Sequence, residues 1–112
     1  MTTLFGKVIR REIPADIVYE DELCMAFRDI NPQAPTHVLL IPKKEIATLS
    51  GADVGDQALL GHMMLAAAKV ARQLGVEDAF RLVVNNGAAA GQSVFHLHLH
   101  ILAGRKLRWP PG

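Results

Sequence analysis

The stretch VFHLHLHILA, residues 94–103, decides how this chain is read. The chain has five histidines, and three of them, His96, His98 and His100, stand here at a spacing of two with leucines between. On a β-strand alternate side chains share a face. Read as one strand, the stretch sends Leu97, Leu99 and Ile101 into a core, against a long helix, and lines the open face of the same sheet with the three imidazoles.

Working backward, "GAAAGQS" (87–93) is a glycine-rich loop and "AFRLVVNN" (79–86) is a strand. Before them a long helix runs from about Gly55 to Leu74 and stops at Gly75. Its interior, "ALLGHMMLAAAKVA", is apolar on most sides. Only His62, Lys69 and Gln73 form a narrow polar stripe, in which His62 is expected to be a solvated surface residue. A helix lying on one sheet face should show a broad polar side. Two faces of this helix therefore need cover, one from the sheet and one from a second subunit. Further upstream, "HVLLIP" (37–42) is a buried strand, "NPQAPT" a loop, and "DIVYE" and "LCMAFRDI" a hairpin turning at Asp21 and Glu22. "KKEIATLSGAD" is read as able to carry a helical turn. Leu4, Phe5, Val8 and Ile9 have helical spacing, with Thr3 as cap and Pro14 beyond the end. The order is helix, three strands, helix, two strands. Short connections predict an antiparallel meander and an α+β class. Residues 1–112 form one domain, with 104–112 as a tail that its two adjacent prolines exclude from the sheet.

Composition narrows the function. Of 112 residues, half are hydrophobic and 21% charged, enough for a packed core. A formal net charge of +1 gives no field that would draw the chain to nucleic acid or an anionic membrane. No window reaches the roughly 20 apolar residues of a membrane span. The start lacks a signal peptide's apolar core and cleavage site. The single cysteine, Cys24, reads as a buried small hydrophobe and fits a reducing compartment, so a soluble cytoplasmic protein is expected.

Three chemistries compete for the histidines. A solvated sheet face would be served as well by threonine or lysine. A metal site suits imidazole. However, His96 and His100 on a straight strand would have alpha carbons about 13 Å apart, which hinders convergence on one ion. A phosphate site fits rings about 7 Å apart: the central ring attacks phosphorus while its neighbours hydrogen-bond the oxygens. Imidazole, with an ordinary pKa of about 6.5, is available as a neutral nucleophile near pH 7. The loop "NNGAAAGQS" adds backbone N–H donors for an anion.

"HLHLHIL" fits the pattern His-φ-His-φ-His-φ-φ, with φ apolar, of the histidine triad superfamily. "LFGKVIRREIPA", "AFRDINPQAPTHVLLIPKK", "RLVVNNG", "GQSVFHLHLHILAGR" and "WPPG" resemble one branch of it, the histidine triad nucleotide-binding proteins, over nearly the whole chain. The resemblance implies a five-stranded antiparallel sheet with one long and one short N-terminal helix per protomer. It also implies a homodimer with a ten-stranded sheet, and hydrolysis of purine nucleoside phosphoramidates, those of AMP or GMP, without cofactor or metal. By position, His98 resembles the nucleophile, His96 and His100 its flanking partners, and His37 a fourth, supporting histidine. Asn85, Gln92 and Ser93 resemble phosphate and leaving-group contacts. Asp29 resembles the carboxylate that grips the ribose hydroxyls, and Phe5, Val8, Phe27 and Ile30 resemble the base pocket. Trp109 belongs to a tail that shapes leaving-group choice. Hydrolysis of dinucleoside polyphosphates and a regulatory nucleotide-binding module are the alternatives. Arg28, Asn31, Glu45 and Asn86 depart from the animal members, and Arg28 stands beside the nucleoside pocket.

Overall fold

The computed structural model describes residues 3–112. Helix α1 (Leu4–Ile9) opens where expected: the Thr3 hydroxyl accepts the Gly6 N–H at 3.1 Å, satisfying one donor of the first turn. Strands β1 (Ile17–Glu20) and β2 (Cys24–Arg28) form the hairpin, followed by β3 (Thr36–Pro42). Two 3-10 turns lead into helix α2 (Gln57–Gln73), and β4 (Phe80–Val83) and β5 (Leu99–Ala103) complete the sheet.

The five strands are antiparallel in the order β1-β2-β3-β5-β4. The α+β class and the element content agree with the sequence reading; the simple meander does not. The chain leaves β3 through α2, returns as β4 at the far edge, and only then inserts β5 between β3 and β4. The 17-residue α2 makes the β3–β4 connection long enough to span the gap that β5 later fills. The histidine-bearing segment thus becomes the inner strand, bonded on both sides, with His100 opposite Leu39 on one side and Val83 on the other.

Alternation along the strands divides the core. Cys24, Ala26, Val38, Leu40, Leu99 and Ile101 pack with Met63, Ala66, Ala67 and Val70 of α2. Met25, Phe27, Leu39 and Ile41 point the other way and pack with Phe5 and Val8 of α1. Each large aliphatic side chain buried this way contributes about 1.5–3 kcal/mol. The outer side of α2 stays apolar: Met64 is 55% and Leu65 70% exposed. Among the described residues, no helix is long and apolar enough to cross a membrane.

Candidate active site

The expected strand over 94–103 is only half a strand. The ladder begins at Leu99, so His100 lies on β5 while His96 and His98 lie in the irregular approach to it. That approach is held by single bonds: the Leu97 N–H to the Ile46 carbonyl at 2.7 Å, and the His96 ring Nε2 to the Pro42 carbonyl at 2.7 Å. The alternation of faces survives without the ladder. Leu99 and Ile101 join the α2 side of the core, while His98 packs edge-on against Phe5 of α1, ring centroids 5.0 Å apart.

The histidines do not form the single open row that the strand reading predicts. His98 and His100, ring centroids 5.0 Å apart, line a cleft of about 240 Å³. Phe5, Val8, Phe27, Asp29, Ile30 and Ser93 line it too. His96 is fully buried behind them and does not line the cleft. His37, expected at a strand edge, is buried within β3, and its Nε2 lies 2.9 Å from His100 Nδ1. Ile30 belongs to the rim rather than to an enclosed pocket, being 96% exposed. Leu39 and Val94 also line the cleft and were not singled out in the sequence. Leu39 was detectable as the residue that alternates with Val38.

Hydrogen bonds fix the tautomers. His98 Nδ1 lies 2.8 Å from the His96 carbonyl, which can only accept, so Nδ1 carries the hydrogen and the Nε2 lone pair is free. The Gln33 N–H donates to His37 Nδ1 at 3.0 Å, so the hydrogen of neutral His37 is on Nε2. That hydrogen points to His100 Nδ1, which leaves His100 with its hydrogen on Nε2, a buried atom with no protein partner among the described residues. His98 therefore offers one imidazole lone pair to the cleft, and the His100 Nε2–H lies buried behind the cleft wall without a protein partner among the described residues. Burial lowers the pKa of His98, although the bond to His96 opposes the shift. Burial, with the neighbouring His98 and His37, lowers His100 to about 4. Burial also lowers His37, against the pull of Asp29. All three rings are neutral at pH 7.

Asp29 follows directly on β2. Its Oδ1 accepts the Asn31 N–H at 2.8 Å, and its Oδ2 is 3.4 Å from His37 Nε2. Gln92 does not offer its amide to the cleft. Nε2 donates to the Ala47 and Val94 carbonyls at 2.8 and 3.1 Å, and Oε1 accepts the Gly87 N–H at 2.8 Å. Its side chain folds the glycine loop, and the expectation of a substrate contact is corrected to that extent. Asn85 is half-buried outside the cleft lining, beside Gly91. Trp109 is 82% exposed and does not line the cleft.

Among the described residues, two groups of three could ligate a metal: Asp29, His37 and His100, and Asp21, Cys24 and His62. The first conflicts with its own hydrogen bonds. His37 Nδ1 already accepts the Gln33 N–H, so a metal on Nε2 would require an imidazolate. His62, expected in solvent, is tied to Asp21 at 2.7 Å.

Residues 10–107 match the family model of the HIT domain. The chain belongs to the HIT domain family. Among its HIT relatives, an uncharacterized HIT-like protein of Synechocystis is 67% identical over 98% of this chain and 96% of that protein. A 14 kDa zinc-binding protein of Zea mays is 50% identical over 98% and 88%. A HIT family hydrolase from Legionella pneumophila superposes with a TM-score of 0.96 at 48% identity, over 99% of this chain and 100% of that one. The histidine triad nucleotide-binding protein of Candida albicans gives 0.84 at 29% identity, over 97% and 83%.

Proposed function

We propose that this HIT protein is a purine nucleoside phosphoramidase of the nucleotide-binding branch, hydrolysing the P–N bond of adenosine or guanosine 5'-phosphoramidates in the cytoplasm. The observation that carries the reading is the free Nε2 lone pair of neutral His98 in the cleft, with His100 lining the cleft beside it. His98 Nε2 attacks phosphorus, the P–N bond breaks, and the amine leaves with a proton taken from water. Water then cleaves the nucleotidyl-histidine, releasing the nucleoside monophosphate and regenerating the imidazole. His100 flanks the phosphoryl group. His37 positions His100, and His96 holds the His98 tautomer through its carbonyl.

The apolar cleft takes the purine against Phe5, Val8, Phe27 and Ile30, and Asp29 accepts the two ribose hydroxyls. Ser93 at the cleft and the loop carrying Asn85 serve the phosphate and leaving group. No step requires a metal. The names of the Legionella and Candida neighbours, a hydrolase and a nucleotide-binding protein, support this assignment. The exposed Met64 and Leu65 support a homodimer through α2, in which Trp109 reaches the partner's cleft.

The test is steady-state turnover of an adenosine phosphoramidate against diadenosine polyphosphates, with the full chain and with a chain ending at Lys106. The full chain should prefer the phosphoramidate and sediment as a dimer at micromolar concentration. The shortened chain should change kcat/KM unequally among leaving amines. Preference for the polyphosphates would move the chain to the alternative reading. A monomer, or an equal loss for every amine, would remove the role given to Trp109.

A further inference from the structure

We propose that Asp21, Cys24 and His62 form a binding site for a divalent metal ion of the zinc class, on the α2 face of the sheet and apart from the histidine cleft. The three residues come from the β1–β2 turn, from β2 and from α2, and one ligand atom from each lies within 4.8 Å of the others. They converge on a single oxygen. Asp21 Oδ2 is 2.7 Å from His62 Nε2 and 3.6 Å from Cys24 Sγ.

A tetrahedral ion with metal–sulfur bonds of about 2.3 Å and metal–nitrogen or –oxygen bonds of about 2.0–2.1 Å needs roughly 3.6 Å between S and O and roughly 3.3 Å between N and O. The first spacing is already present. The second requires His62 to withdraw by about 0.6 Å from its hydrogen bond, a short move for a half-exposed ring. Asp21 and His62 are both part-exposed, so water can complete the shell from that side. One thiolate, one imidazole and one carboxylate suit zinc or cobalt rather than magnesium or calcium.

Binding is an exchange of protons for the ion. The Cys24 S–H proton leaves to solvent, and the ring hydrogen of His62 moves from Nε2 to Nδ1. Among the described residues no donor occupies His62 Nδ1 as the Gln33 amide occupies His37 Nδ1, so the move is open. Tyr19 keeps donating to Asp21, at 2.7 Å, and so orients the carboxylate ligand. Without an ion, burial and the charge of Asp21 push the Cys24 thiol up to about 12. The thiol is then protonated and inert, and a divalent cation would supply the positive charge that the thiolate lacks. The bound ion would pin the hairpin turn to α2.

The chain has one cysteine, so the experiment reads one site. The full-length protein, stripped with chelator, is titrated with Co²⁺ alone and then with Zn²⁺. A near-ultraviolet thiolate-to-cobalt charge-transfer band should saturate at one ion per chain and vanish as Zn²⁺ replaces Co²⁺. Cys24→Ser should abolish the band. His62→Gln keeps a donor for Asp21 and removes the ring ligand. It should weaken Co²⁺ by at least the roughly 10- to 100-fold typical of losing even a ligand's hydrogen-bond partner. Co²⁺ bound without the band, or the band retained at wild-type affinity in His62→Gln, would overturn the proposal. Phosphoramidate turnover reports on the cleft separately, because no step there uses these residues.

Discussion

Two histidine–aspartate clusters flank the same sheet, and they use the same side chains in opposite ways. On the α2 face, Asp21 collects every donor around it: Leu23 and Cys24 N–H at Oδ1, and the Tyr19 hydroxyl and His62 at Oδ2. Burial alone would raise that carboxyl, but these bonds outweigh it and hold the pKa far below the usual range. On the α1 face, Asp29 stands 3.4 Å from His37, while the imidazoles bond to one another and to backbone. There, burial wins and the rings lose their protons. A carboxylate among donors makes a structural clamp. Imidazoles that are buried and hydrogen-bonded to one another and to backbone remain neutral despite the nearby Asp29, and His98 keeps a lone pair to use.

The contrast breaks most sharply with single substitutions. His98→Ala should lower phosphoramidate turnover by several orders of magnitude, on the order of 10⁴ or more, with melting temperature nearly unchanged. Asp21→Ala should do the reverse. It leaves a half-buried tyrosine hydroxyl and two turn amides without their acceptor, so denaturant unfolding should show a loss of about 2 kcal/mol with kcat preserved. If Asp21→Ala removed activity and spared stability, the division between the faces would be wrong.

A smaller effect separates the clusters by pH. His37, His98 and His100 have lowered pKa values in the folded chain, so between the ordinary value of 6.5 and about 4 the unfolded chain binds more protons. Their share of stability is complete above pH 6.5 and declines as pH falls toward 4. Asp21 is lowered from 3.8, so its contribution persists through that window and is lost only below it. Urea unfolding from pH 7 to pH 4 should show declining stability, and His100→Gln should flatten the slope. An unchanged slope would mean that the buried rings are not the source.

The sequence was informative where periodicity and chemistry coincide. Alternation in "VFHLHLHILA" assigned the two faces, and the helical spacing of Leu4, Phe5 and Val8 marked α1, which only the family resemblance set at the site. It could not show that the ladder starts only at Leu99. That depends on the glycine loop, where Gly87 and Gly91 adopt positive φ and Gln92 spends its amide on the turn. Nor could it show β5 between β3 and β4, because strand order depends on pairings between segments distant in sequence, which local pattern does not reveal. His62 was misread because its partner, Asp21, is 41 residues away. Asp21 heads a hairpin turn, where aspartate commonly binds backbone, but nothing local reveals the ring above it.

The most direct test of the account is rapid acid- or base-quenching of the enzyme with a radiolabelled adenosine phosphoramidate, followed by peptide mapping. The account predicts a nucleotidyl group on the peptide containing His98, formed and consumed at rates compatible with turnover and absent from His98→Ala. Wild-type turnover in His98→Ala, or a kinetically competent adduct on His96 or His100 instead, would contradict it.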